Sequence, residues 1–313
     1  MNTPPSARDL AALAAFLRQR TRAEILVDHP LAPHTTYGIG GPTALWAAPR
    51  REGDLPVILR AAREAGCPFF VLGRGSNVLV SDRGWPGLTL HVGEGLDRMR
   101  FSEAGVEVEA GCALHGLVLA AAARGLAGLE PLAGIPGGVG GAIRMNAGAF
   151  GREIAELLIA LRGFTAAGDV FEAEGKRLSF GYRSSPDLEG VVIAAARLRL
   201  EAGSPAALQR RVDEILDLRA RRQPLDHPSC GSVFKRPPGY YAGALIEEAG
   251  FKGEREGGAQ VSPKHAGFIV NLGGATAADV YRLIRRIETR VFERFGVRLE
   301  REVRLVGAFD DDS

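Results

Sequence analysis

Cysteine, methionine and tryptophan are scarce in this chain, long apolar runs are missing, and neither sign of charge dominates. The three cysteines, Cys67, Cys112 and Cys230, are scattered along 313 residues, too few and too dispersed for a disulfide framework or a zinc site, so no metal is expected. A balance of 39 basic against 37 acidic residues supplies no field for generic binding to nucleic acid or an anionic membrane. No apolar run approaches the roughly 20 residues that span a bilayer. The N-terminal stretch MNTPPSARDLAALAAFLRQR carries charges within its apolar part and no cleavage site, unlike a secretory signal. A cytoplasmic protein is the expectation. What the chain has in excess is glycine, 41 residues against a usual share of roughly 7%. That glycine is clustered, and clustered glycine lets backbone approach something closely.

The length exceeds that of one ordinary core and predicts a division into subdomains. Apolar spacing predicts a helix over 10–20, a strand at TALWAAP, a helix in EGDLPVILRAAREAG with Gly66 as its stop, and a buried strand at PFFVLG. This is a βαβ unit. GRGSN (Gly73, Arg74, Gly75, Ser76, Asn77) follows its second strand, at the end where open α/β sheets bind ligands. Short Gly- and Pro-broken runs then read as β-rich structure, LHGLVLAAAARG reads as a buried helix, and LLIALRGFT, DVFEAE and VVIAAARLRL read as strands. Between them LEPLAGIPGGVGGAIRMNAGAFG is too glycine-rich for a regular element and too apolar for a solvent linker. The character changes near residue 200. An arginine-rich helix over 205–222, a helix at YAGALIEEAG, strands at GAQVS and GFIVNLG, a long helix over 276–295 and a terminal strand LEREVRLVG predict a second α/β unit.

GRGSN suits an anion-binding nest of converging N–H groups, and it equally suits a turn that needs glycine for its geometry. It is not GxGxxG and no helix follows it, which disfavours a Rossmann nucleotide site. GIPGGVGGA suits a flat partner lying against backbone, or a tight helix–sheet crossing. In SFGYRSSP, Arg183 has the chemistry to hold a carboxylate by a two-pronged hydrogen bond, or to be a surface arginine in a turn. In CGSVFKRP, Ser232 precedes Lys235 and Arg236, a setting for a phosphorylated substrate. A serine hydrolase built with Asp226 and His227 lacks the GxSxG elbow, and Cys230 alone is more often packing than a nucleophile. In the terminal strand Glu300, Glu302 and Arg304 alternate to one face, with Arg301, Val303 and Leu305 on the other.

Taken together and in this order, GRGSNVLV, GIPGGVGGAIRMNAGAFG, FGYRSS, GSVFKRP, GAQVSPKHAGFIVN and LEREVRLVG resemble the UDP-N-acetylenolpyruvoylglucosamine reductase (MurB) family, from HTTYGIGGP onward and over nearly the whole chain. The resemblance implies an α+β fold. Its expected parts are an FAD-binding region of the vanillyl-alcohol-oxidase/PCMH type over 1–200, in two subdomains of about 1–84 and 85–200, and a smaller α/β substrate domain over 201–313. It implies non-covalent FAD, NADPH as co-substrate, and UDP-GlcNAc-enolpyruvate as the small-molecule substrate of a monomer in peptidoglycan synthesis.

By likeness to the family, Arg183, Ser232 and Glu302 take the catalytic positions. Gly73, Arg74, Gly75, Ser76 and Asn77 take the cofactor positions, with Gly134, Ile135, Pro136, Gly137, Gly140, Gly141, Ala142, Asn146 and Gly148. Tyr182, Arg219, Lys235, Gln260 and Arg304 take substrate positions. Arg236 stands where the family often has Asn. The interval from Arg183 to Ser232 is too short for the loop, with its substrate-binding tyrosine, of the longer subclass, so the chain resembles the shorter, type II subclass. A flavin oxidase of the same cofactor fold is the nearest alternative. Such enzymes often tether flavin through a histidine near the pyrophosphate loop; GRGSN has none, and His115 falls in a predicted helix.

Overall fold

The computed structural model describes residues 6–103 and 105–309, so the first five residues of the N-terminal stretch lie outside it. The chain forms two compact units. One holds the described residues up to Asp28, with Ala44–Arg74 and Gly87–Leu218; the other holds His29–Thr43, Gly75–Pro86 and the described residues from Arg219 onward. The chain passes between these units five times along its length.

In the first unit β1 (Glu24–Pro30), β2 (Pro42–Ala48), β5 (Trp85–His91) and β3 (Phe69–Leu72) form a four-stranded sheet in the order β1-β2-β5-β3. Helix α1 (Ala7–Arg20) starts at Ser6, whose hydroxyl accepts from the Asp9 N–H, and it buries Leu13, Ala14 and Leu17. In α2 (Asp54–Glu64) Leu55, Ile58, Leu59 and Ala62 recur every three or four residues and are buried, the one-sided pattern of a helix on a core. Strand β3 runs parallel to β5, Phe69 opposite Leu88. Its composition predicts a buried strand, but it is an edge strand with one neighbour, and Val71 is 41% exposed.

Strands β6 (Met99–Ser102), β7 (Gly105–Glu109), β11 (Leu158–Thr165), β12 (Val170–Glu174) and β13 (Val191–Arg199) form an antiparallel sheet in the order β12-β11-β13-β7-β6. Central β13 is buried from Val192 to Ala196. Helix α3 (Leu114–Ala123) buries Leu114, Leu117, Val118, Ala121 and Ala122. Short pairs join β8 (Leu126–Ala127) to β14 (Glu201–Ala202), and β9 (Gly148–Ala149) to β10 (Arg152–Glu153).

One sequence expectation fails here. Within the glycine-rich stretch, Val139–Arg144 is a helix, α4. Helix propensity disfavours it, but the N–H groups of Val139 and Gly140 donate to the carbonyls of Cys112 and Ala110 at 2.9 and 2.8 Å. Those tertiary bonds hold the start of the turn.

In the second unit β15 (Arg255–Glu256), β16 (Ala259–Val261) and β17 (Ile269–Asn271) form an antiparallel sheet, and β18 (Arg304–Val306) runs parallel to β4 (Val78–Val80). Helix α5 (Pro205–Arg222) leads into this unit, followed by α6 (Ala242–Glu248) and α7 (Ala277–Phe295). Helix α7 buries Val280, Leu283, Ile284, Ile287 and Val291 and ends at Gly296, whose φ of 68° closes the C-cap. This unit's core also draws in Tyr37, Ile39 and Leu79 from the early segments. No helix among the described residues is long and apolar enough to cross a membrane.

Candidate active site

The glycines of the two loops divide into those that the fold requires and those that it does not. Gly75 has a φ of 63°, and a Cβ there would lie 2.6 Å from Thr35 Cα and collide with the His34 carbonyl oxygen. A Cβ on Gly140 would stand 2.8 Å from Ala110 Cβ. These two are glycine because protein backbone or a packed neighbour occupies the space. Gly73 and Gly141 are different, since a Cβ on either meets nothing within 4 Å and neither has a positive φ. Arg74, Gly75 and Asn77 donate no backbone hydrogen bond to another described residue. Open glycine with undirected N–H groups fits the close approach of a phosphate-bearing cofactor. Fold geometry thus accounts for Gly75 and Gly140 but not for Gly73 and Gly141.

Beside α4 the first unit assembles a second feature. Gly181 and Ser184 pair across a two-residue turn, with N–H···O bonds of 3.0 and 3.1 Å. The turn residues are Tyr182, 49% exposed, and Arg183, whose φ is 53°. The Arg183 guanidinium lies 5.2 Å from the Tyr182 ring centre, and its Nη2 donates to the Gly148 carbonyl at 3.2 Å. Ser185 Oγ donates to the Arg144 carbonyl at 2.6 Å. Asn146 is fully buried, and its side chain is engaged within the protein at both ends. Its side chain has no face left for a cofactor. Gly134 and Gly137 carry positive φ, Ile135 and Pro136 are partly or fully exposed, and Ala142 is buried.

The second unit brings together Ser232, Lys235, Glu302 and Asn77. Ser232 bridges to Phe268, and Phe234 bridges to Arg301 in antiparallel sense. The N–H groups of Glu302 and Val303 both donate to the Val233 carbonyl, at 2.8 and 3.3 Å. Two residues facing one is a β-bulge, a device that re-aims a side chain. It ends the alternation expected for LEREVRLVG, and regular pairing resumes only at β18. Asn77 Nδ2 donates to the Glu302 carbonyl at 3.0 Å, and Arg304 N–H donates to the Asn77 carbonyl at 3.0 Å. Lys235 pairs with Glu300, whose side chain is 72% exposed.

Ser232 is half-buried and makes no side-chain hydrogen bond to a described residue. The hydrolase alternative is thereby unsupported: His227 sits 3.8 Å from Asp226, both well exposed, and neither bonds to Ser232. Cys230 is buried, and burial pushes its thiol up to about 12, with Tyr37 alongside, the opposite of an activated nucleophile. Gln260 lies in β16, its amide donating to the Gly253 carbonyl at 2.9 Å. Arg219 is half-buried near the end of α5, and Arg304 is exposed at the start of β18.

Thr36 has a role that its sequence context does not predict. Its N–H donates to the Gly75 carbonyl at 3.1 Å, and its hydroxyl to the Ser229 carbonyl at 2.6 Å. One residue thus sets the GRGSN loop against the segment leading to Ser232. The HTTYGIGGP stretch was the available signal, with no chemistry of its own to give it a role.

Residues 223–306 match the family model described as UDP-N-acetylenolpyruvoylglucosamine reductase, C-terminal domain, and residues 43–174 match an FAD binding domain. UDP-N-acetylenolpyruvoylglucosamine reductase of Heliobacterium modesticaldum is 43% identical over 288 residues, covering 91% of this chain and 92% of the relative. The protein of that name from Anaeromyxobacter sp. (strain Fw109-5) is 44% identical over 295 residues, covering 94% and 92%. The crystal structure of UDP-N-acetylenolpyruvylglucosamine reductase (MurB) from Thermus caldophilus superposes with a TM-score of 0.78 at 38% identity, covering 91% of this chain and 99% of that one.

Proposed function

The chain belongs to the UDP-N-acetylenolpyruvoylglucosamine reductase family, and we propose that it reduces UDP-N-acetylglucosamine enolpyruvate to UDP-N-acetylmuramate for peptidoglycan synthesis. It is an FAD-dependent oxidoreductase with NADPH as co-substrate, of the α+β FAD-binding fold. The observation that carries the proposal is identity above 40% sustained over nine-tenths of the chain and of its relatives. When bound, FAD would supply the two-electron chemistry that links NADPH to the enolpyruvyl group.

The residues have suitable chemistry for the rest. The GRGSN loop, with Gly141 and its neighbours, would hold the cofactor through backbone. Addition of hydride to the terminal carbon leaves negative charge on the neighbouring carbon and its carboxylate. The Arg183 guanidinium stabilises that charge, an effect worth roughly 3 kcal/mol for a well-placed donor. Ser232 gives its hydroxyl proton to the same carbon, completing the lactyl group. Glu302, set by the bulge, organises this end of the substrate. Lys235 and Arg304 take the diphosphate and carboxylate; the partner of Lys235 is an exposed carboxylate, and exposed pairs are weak enough to exchange. Tyr182, Arg219 and Gln260 contact the sugar nucleotide.

Anaerobic mixing tests the proposal. NADPH should bleach the yellow protein, and the enol ether should restore its colour. Ser232→Ala should leave bleaching intact and block the return of colour; equal slowing of both steps would remove the proton-donor role. A cytoplasmic monomer belongs to the same proposal, and elution of the purified protein at twice the mass of one chain would overturn the monomer.

A further inference from the structure

Four non-glycine residues among those described have positive φ: Asp28, Asn146, Phe150 and Arg183. Three of the four, Asn146 at 41°, Phe150 at 50° and Arg183 at 53°, fall in two short segments that are hydrogen-bonded to each other. Each such residue costs on the order of 1 kcal/mol. Backbone strain of that kind persists where surrounding structure over-determines it, and it concentrates at functional sites.

The over-determination here runs through one side chain. Asn146 Nδ2 donates to Glu153 Oε2 at 2.6 Å and to the Gly181 carbonyl at 3.0 Å. Its Oδ1 accepts from the Ala155 N–H at 3.3 Å. Turning the amide over would set its oxygen against two acceptors and its nitrogen against a donor, so the network defines one orientation. Gly181 is the first residue of the turn that carries Arg183, and Gly148, whose carbonyl receives Arg183 Nη2, lies two residues beyond Asn146. Asn146 therefore touches the Arg183 turn at its base, while its own segment touches the guanidinium at its tip.

We propose that Asn146 is the positioning residue for Arg183: a buried amide that clasps the Gly181–Ser184 turn and fixes the guanidinium where negative charge develops on the substrate. This deepens the proposed function and rests on its assignment of Arg183. It also moves Asn146 from the cofactor set to the catalytic support. A positioning error of about 1 Å costs roughly 100-fold in rate, so the expected loss lies between about 10- and 100-fold.

The experiment compares Asn146→Ala, Asn146→Gly, Arg183→Ala and the two Asn146 changes combined with Arg183→Ala. Asn146→Gly tolerates the positive φ and serves if the alanine variant does not fold. Each is read for FAD content, for bleaching by NADPH, and for anaerobic return of colour with UDP-GlcNAc-enolpyruvate. The Asn146 variants should keep FAD and bleach at the wild-type rate, yet recolour about 10- to 100-fold more slowly. The double variants should be no slower than Arg183→Ala alone, because a residue that acts only through Arg183 has nothing further to lose. Loss of FAD, unchanged recolouring, or multiplying effects in the double variants would each overturn the inference. Normal recolouring in Arg183→Ala would instead overturn the role given to Arg183.

Discussion

At the scale of single residues, glycine is the commonest notable feature and the least uniform in meaning. Gly140 and Gly141 are neighbours in α4, yet one faces Ala110 at packing distance and the other faces open space. Gly140→Ala should destabilise the fold by about 1–3 kcal/mol through overpacking, read as a lower denaturation midpoint. Gly141→Ala should leave stability unchanged or raise it by up to about 1 kcal/mol, since alanine is the better helix former. It should nonetheless weaken FAD roughly tenfold, a difference of about 1.4 kcal/mol, measured by flavin fluorescence. Undiminished FAD affinity in Gly141→Ala would show that nothing approaches the open glycine. The sequence shows both glycines and their density. It does not show which has a neighbour, because that depends on Ala110, which is far away along the chain.

At the scale of elements, most were legible. Helices α2, α5 and α7 and strands β11 and β13 lie where apolar spacing and glycine stops predict them, because the residues that bury also set the period. The misses share one cause. β3 looks buried by composition but is an edge; α4 looks irregular by composition but is helical; LEREVRLVG looks like one strand but is broken by a bulge at Glu302 and Val303. In each a partner elsewhere decided, not the local sequence.

Helix α7 shows the opposite, with its start written locally and then reinforced. Thr276 and Asp279 form a capping box, and Asp82 accepts from the N–H groups of Ala277 and Ala278 at 2.8 and 3.0 Å. Burial alone would raise the Asp279 carboxyl, but N–H donors at Thr276 and Gly258 and the Arg282 guanidinium outweigh it and hold it below the usual range. A carboxyl depressed in the folded state stabilises fully above its unfolded pKa of about 4, and that contribution fades as pH falls below it. Asp279→Asn should therefore cost about 1 kcal/mol at neutral pH and progressively less below pH of about 4. Urea titrations across pH check this, and a pH-independent gap would contradict it.

At the scale of the whole molecule, the second unit draws its core from three separate stretches of chain. Tyr37, Ile39 and Leu79 are buried in it at 3% exposure or less, β18 pairs with β4, and the α7 cap uses Asp82. A fragment of residues 201–313 lacks all of these. It should show no cooperative unfolding when made alone; a sharp urea transition from that fragment would instead support an autonomous domain beginning near residue 200. The family likeness is a whole-chain property of the same kind, since no single motif carries it and the ordered set does.

By itself the sequence determined the period of the long elements, the excess of glycine at two loops, the lack of a reactive cysteine framework and, through ordered motifs, the family. Those are set by residues close together in the chain or by their order along it. Only tertiary structure decided which glycines stand open, that the Asn146 side chain is turned inward onto the Arg183 turn, and that Thr36 joins the Gly75 loop to the approach to Ser232. Each of these depends on groups that meet in space after long stretches of intervening chain, and spacing along the chain carries no record of such meetings.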